Sequence, residues 1–211
     1  MQSPIKPRVG QSPPGFDRRA AELRSIVQKV PLDLLARRTA STLVESGGLQ
    51  LFLYGAEVLC TSPEFVFTNV DGSLLPEFQQ LLLLYYLATA DGTALSGRWV
   101  SFADLPGGRM YAQAFQGYSG DEIVKAFGEN LLGFHNACKH AQGEQNDVGD
   151  AAYTFPALPL VSARFVYWLG DEDFPSSCKI LFDAAATHYV PIDACAIIGS
   201  NLTRKILKNI G

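Results

Sequence analysis

The chain has 211 residues, with 17 Lys and Arg against 21 Asp and Glu, for a formal net charge of −4. That balance excludes the broad cationic surface that neutralises a nucleic-acid backbone or an anionic membrane. Charged residues make up 18% of the chain and apolar residues 47%, so there is ample material for a core.

Residues 1–15 carry Pro4, Pro7, Pro13 and Pro14 with Gly10 and Gly15 and no apolar run. They read as a flexible arm, because a secretory leader needs an apolar stretch after its basic start. The most apolar segment, Leu81 to Ala88, falls well short of the roughly 20 residues that cross a bilayer. A soluble, cytoplasmic protein is expected, with a single domain over 16–211 that divides into two similar halves, 16–118 and 119–211, if the recurring order of strand pair and buried helix marks a duplication.

Asp17 opens a helical pattern with Leu23, Ile26, Val27 and Val30 on one face, and a second helix is expected from Leu32 to Thr42. Leu49 to Val58 and Glu64 to Asn69 read as the strands of a hairpin turned at Ser62-Pro63 and closed by Asp71-Gly72. Pro76 and Glu77 begin a helix that runs to Ala90 and is apolar nearly all round, which predicts a helix enclosed by protein. Two further β-like runs follow, Trp99 to Phe102 and Arg109 to Phe115, joined by Leu105-Pro106-Gly107-Gly108.

Ser119 and Glu122 have capping-box spacing, ahead of a helix that places Ile123, Phe127, Leu131, Phe134 and Cys138 on one stripe. Residues 141–150 read as an exposed loop. Leu160 to Leu169 and Lys179 to Phe182 are apolar strands, and a further strand is expected around His188 to Val190. Asp193 then caps a last helix, with Ile198, Leu202 and Ile206 on one face and Arg204, Lys205 and Lys208 near its end. Strands in local pairs with irregularly placed helices predict an α+β fold, antiparallel hairpins packed around a buried central helix in a single compact domain.

The strong catalytic signatures are missing: there is no G-x-S-x-G, no phosphate loop, no H-E-x-x-H and no G-x-G-x-x-G. Cys60, Cys138, Cys178 and Cys195 lack the short spacings of zinc or cluster ligands and are expected as reduced, mostly buried thiols. His135, Cys138 and His140 are close in sequence, but helical geometry turns His140 away from the other two. No cofactor or metal is identified.

Two constellations carry the candidate ligand-binding residues. Arg98 and Arg109 flank the glycine turn, where bidentate contacts could hold a carboxylate or phosphate, with Trp99 and Tyr111 beside them; a strand connection with solvated arginines explains the same residues. Asp171, Glu172 and Asp173 form an acidic turn after Trp168, with Asp183 on the next strand. Carboxylates there suit a hard cation or general-base work, and a polar turn between strands accounts for them equally. Arg164, inside an apolar strand, needs a partner if buried, and Asp183 is the expected one.

The block Gly97 to Gly108, with Tyr111 and Phe115, and the block Trp168 to Pro175, continuing through Ile180 to Asp183, resemble an uncharacterised domain family. Pro31 to Ala36, Phe52 to Gly55 and Tyr189 to Asp193 are similar to its opening and close, so the resemblance spans residues 20–207. That family occurs mainly in anaerobic bacteria and archaea and is sometimes fused to an iron–sulfur-cluster module, whose cysteine-rich segment this chain lacks. The resemblance implies a setting in iron–sulfur or corrinoid-linked anaerobic metabolism, and no reaction.

Three functions follow. The first is an accessory module that binds a ligand or cofactor. The second is an enzyme that holds a small anionic substrate on Arg98 and Arg109 and uses a carboxylate of the acidic turn as base. The third is a structural subunit of a larger complex. The partners expected are a small-molecule ligand or a partner enzyme, with no nucleic acid and no membrane.

Overall fold

The computed structural model describes residues 15–45 and 47–210. The expected N-terminal arm lies outside them, apart from Gly15. The chain opens with α1 (Phe16–Val27) and α2 (Leu32–Thr39), then forms a sheet from β1 (Thr42–Val44), β2 (Gly48–Leu53), β3 (Ala56–Thr61) and β4 (Phe67–Asn69), all antiparallel in sequence order. The expected strand over Leu49 to Val58 is two strands. Tyr54 and Gly55 have φ of +52° and +85°, the left-handed pair that turns a two-residue hairpin, and this turn was not read from the sequence. Ser62-Pro63 makes the next turn, as expected.

Helix α3 (Glu77–Thr89) buries Leu82, Leu83, Leu84, Tyr86 and Leu87 and packs against α1 and α2, as its all-round apolarity predicts. Its Tyr86 hydroxyl donates to the Thr39 carbonyl at 2.8 Å and accepts from the Leu160 amide at 3.2 Å, tying α2 to the turn of the second sheet. Tyr86→Phe leaves both backbone groups without their partner. It should lower stability by about 1–3 kcal/mol, read in urea unfolding as a lower midpoint at unchanged slope.

The second sheet contains β5 (Trp99–Ser101), β6 (Glu144–Asn146), β7 (Ala151–Leu158), β8 (Val161–Trp168) and β9 (Ser177–Asp183), in the antiparallel order β5-β9-β8-β7-β6. Between β5 and β6 lie 3-10 turns at Phe102–Asp104 and Gly108–Met110, then α4 (Ala112–Gly117), α5 (Gly120–Phe127) and α6 (Leu131–His140). A 3-10 turn at Ala186–His188 and α7 (Ile192–Leu207) close the chain. The α+β architecture with antiparallel sheets is as the sequence predicts.

Several local expectations are corrected. Arg109 to Phe115 is a 3-10 turn and the start of α4, and β5 pairs with β9 far along the chain instead of with its neighbour. The stripe from Ile123 to Cys138 belongs to two helices, because Gly128 at φ +52° breaks the first and the Asn130 side chain caps the second by accepting from Gly133 N at 2.8 Å. The capping box does not form: the Ser119 hydroxyl donates back to the Phe115 carbonyl. The segment at His188 is a 3-10 turn, not a strand, and β7 was not anticipated at all.

One face of the second sheet is closed. Phe155, Phe165, Tyr167, Ile180 and Phe182 are buried there, and α5 and α6 pack against β9 and β7, with α7 packing on both helices. Phe134 of α6 lies 4.9 Å from Tyr167, ring centre to ring centre, and Phe115 of α4 lies 6.3 Å from Phe182. The two sheets meet where the Tyr54 amide donates to the Ala157 carbonyl at 2.8 Å. Helix α7 therefore has one stripe packed inward, including Cys195, Ile198, Leu202 and Ile206, and an opposite stripe facing out toward the β2–β3 turn and the start of α3.

Candidate functional site

The residues singled out in the sequence fall into separate environments. Arg98 and Arg109 are exposed, and neither guanidinium has a hydrogen-bond or ion-pair partner among the described residues. The turn between them is built for closeness of backbone, with Gly108 lying directly under the Phe102 carbonyl. Tyr111 is exposed, and Trp168 sits exposed at the end of β8. In the acidic turn, one Asp171 oxygen accepts from the Asp173 and Phe174 amides at 2.9 and 2.8 Å, while Glu172 is exposed.

Asp183 and Arg164 do not pair. The buried Asp183 carboxylate accepts from Ser96 N, Ser96 Oγ, Gly97 N and Ala185 N at 2.8–3.0 Å, so its anionic charge is satisfied by the loop ahead of β5 and the turn after β9. Arg164 points to the outer face of the sheet, with its guanidinium carbon 4.0 Å from the centre of the Trp99 ring and its Nε donating to Thr154 Oγ1 at 3.0 Å. Stacking on an indole gives the partly buried cation the partner that the sequence reading assigned to Asp183.

The nucleophiles are quiet. All four cysteines are free and buried, and burial pushes the Cys60 and Cys195 thiols up to about 12 and raises Cys138 and Cys178 as well. His135 Nδ1 meets the Tyr153 hydroxyl at 2.7 Å, and Cys138 of the same helix lies in the core. Among the described residues, no three His, Cys, Asp or Glu side chains come together to hold a metal ion. Asp91 Oδ2 lies 2.8 Å from His188 Nδ1, which orients an imidazole, but the pair is half-exposed and lines none of the clefts described here.

A cleft lined by three cations lies on the outward stripe of α7. A hollow of about 350 Å³ is floored by Asn201, Arg204, Lys205 and Lys208 and walled by Tyr54 of the hairpin tip with Pro76, Phe78 and Gln79 at the start of α3. Two more hollows, about 310 and 270 Å³, continue it along the helix past Phe78 and Ser200 to Ile197 and Tyr118, and Arg204 borders all three. No carboxylate pairs with Arg204, Lys205 or Lys208 among the described residues.

Cations in the last turn of a helix also balance its dipole. That explains their sign, but a lysine serving only the dipole would stay solvated. Lys205 instead turns inward, half-buried, its Nζ 3.4 Å from the Tyr54 carbonyl, and burial lowers its pKa. Burial likewise pushes the Tyr54 phenol up to about 12, against the Asn201 amide that donates to its oxygen at 3.0 Å. At neutral pH the phenol keeps its proton, and that proton has no acceptor among the described residues. Ammonium, guanidinium, amide and phenol thus present donors around one hollow, which is the chemistry of anion binding.

In the sequence Arg204, Lys205 and Lys208 stand near the end of the last helix, outside both candidate constellations. Their signal was there: Ile197, Ser200, Asn201, Arg204, Lys205 and Lys208 recur at alternating steps of three, one, three, one and three residues, a helical stripe with no acidic member. Compared with known proteins, residues 31–205 match a family described as a domain of unknown function, DUF3786. No curated protein and no solved structure matches the chain.

Proposed function

We propose, from the premise that the chain belongs to the DUF3786 family, that it is an accessory module binding a small anionic ligand in the α7 groove. The observation that carries this reading is Lys205, an ammonium drawn into the protein beside a cleft with no carboxylate of the described residues to meet it. An anion seated there would recover what its partial burial costs. A place in iron–sulfur or corrinoid-linked anaerobic metabolism is the setting suggested by the sequence resemblance, and it rests on that resemblance alone.

The test is a thermal-shift titration with pyrophosphate, a compact anion without an organic group. At a hundredfold excess over its dissociation constant, binding adds about 2.7 kcal/mol, so the wild type should gain roughly 5–10 °C. Arg204→Gln and Lys205→Gln should each weaken binding about tenfold to a hundredfold, since a hydrogen bond to a charged group is worth about 1.5–3 kcal/mol. No shift in the wild type would sink the reading. A shift abolished by Arg98→Gln or Arg109→Gln and untouched by the α7 variants would move the anion to the glycine turn and favour the alternative of an enzyme that holds its substrate there.

A further inference from the structure

Resting on the α7 groove as an anion site, we infer that its ligand is an aromatic phosphate ester, with the phosphate at Lys205 and Lys208 and a flat apolar group lying past Arg204 against Phe78, Ile197 and Tyr118. The groove is longer than an inorganic anion. Ile197 and Lys205 stand eight positions apart on α7, about 12 Å along the axis at 1.5 Å per residue. Over that length the two lysines stand only at the Lys208 end and Tyr118 and Ala196 only at the far end, while Phe78 borders the first two hollows and Arg204 all three.

The apolar end is exposed where a soluble protein would gain by covering it. Phe78 and Tyr118 remain 39% and 43% exposed, and both are held in place from behind. Phe78 stacks on Phe16 with ring centres 6.4 Å apart, and Tyr118 meets Phe115 edge-on at 5.8 Å. Rings fixed from one side with the other side facing a hollow are ready to stack on a planar group, with little rotamer freedom left to lose. Arg204 borders every part of the groove, where a guanidinium can bond the phosphate through its edge and lie against the ring through its face. Ser200 and Asn201 lie between the two ends and suit polar substituents on that ring. Charge and shape together favour an ester over a free aromatic acid, because donors from Tyr54, Asn201 and Lys205 surround the anionic end, more than one planar carboxylate engages at once.

Calorimetric titration of the full chain with inorganic phosphate, phenyl phosphate, 1-naphthyl phosphate and neutral 1-naphthol tests the inference. The expected order is naphthyl over phenyl over inorganic phosphate, with at least about a tenfold gain from end to end and the naphthol weakest. Tyr118→Ser, which changes an exposed ring outside the cationic hollow and should fold, is expected to erase the gain while leaving inorganic phosphate unaffected. Lys205→Gln should weaken all three phosphates alike. If inorganic phosphate and pyrophosphate bind and the aromatic esters bind no tighter, the inference fails and the anion site stands. Naphthol binding as tightly as its phosphate would also overturn it, and if neither anion nor ester binds, both readings fall.

Discussion

Asp183→Ala should lower stability by about 3 kcal/mol, a fall of roughly 6–12 °C in melting temperature for a domain of this size. The carboxylate is nearly buried and accepts four hydrogen bonds, from Ser96 N and Oγ, Gly97 N and Ala185 N. Removing it strands these donors. Those of Ser96 and Gly97 can turn to water, whereas Ala185 is buried and its amide cannot. Asp183→Asn keeps one accepting oxygen and should lose about half as much. The loop also positions β5, the edge strand of the second sheet, so loss of the clamp should speed amide exchange in Trp99 to Ser101 first.

The same residue gives the chain an acid limit. Burial alone would raise the Asp183 pKa, but the hydrogen bonds from Ala185, Ser96 and Gly97 outweigh it and the folded value lies below the ordinary 3.8. Asp91 is held at about 2, chiefly by its hydrogen bond with His188 and then by Thr93. A carboxylate whose folded pKa is depressed contributes stability above its unfolded value and loses it as pH falls through the folded one. Stability should therefore be flat above pH 5 or so and decline from about pH 4 downward. Asp183→Asn should decline less steeply over that window. A variant with an acid profile parallel to wild type would show that the Asp183 clamp is not formed in solution.

Gly108→Ala should cost about 3 kcal/mol or more, because a Cβ at that position would lie 1.8 Å from the Phe102 carbonyl oxygen and 2.9 Å from its carbon. The atoms in the way are backbone, so no rotamer change relieves the clash. The turn would have to open, pulling Phe102 from Phe115, whose rings stack at 4.2 Å, and loosening the seat of α7, where Gly199 admits the same Phe115 ring. Gly107→Ala makes the comparison. Gly107 needs only its left-handed φ of +80°, with Ile192 no nearer than 3.5 Å, so its replacement should cost about 1–2 kcal/mol. Chemical denaturation of the two variants reads the difference. Equal losses would mean that backbone conformation, not close approach to the Phe102 carbonyl, dictates both glycines.

These two residues bear on how the candidate site could be read from the chain. Gly108 and Asp183 stand in the two blocks that carry the family resemblance, and both have structural duties there: a close backbone approach and a loop clamp. A glycine turn between two arginines and an acidic residue on a strand look alike in sequence whether they hold a ligand or hold the fold. Only hydrogen-bond partners tell the two cases apart, and those come from Ser96 and Ala185, one of them almost ninety residues away.

Where burial is decided by a helix's or strand's own pattern, the sequence by itself was sufficient. The apolar circumference of α3 forces enclosure, the apolar residues of β8, alternating with Ser162 and Arg164 over its first half, force a strand with a buried face, and the inward stripe of α7 is visible in Ile198, Leu202 and Ile206. Antiparallel α+β architecture follows from such local periods. Pairing across the chain is different. Strand β5 is three residues long and selects β9 because the sheet offers it an edge there, and β7 is a strand despite Pro156 because the ladder skips from Pro156 to Leu158 beside it. The α7 groove belongs wholly to that second kind. Its cationic stripe, taken alone, is the solvated side of a helix, and it becomes the wall of a cleft only where packing carries Tyr54 and Phe78, more than a hundred residues earlier, across to face it.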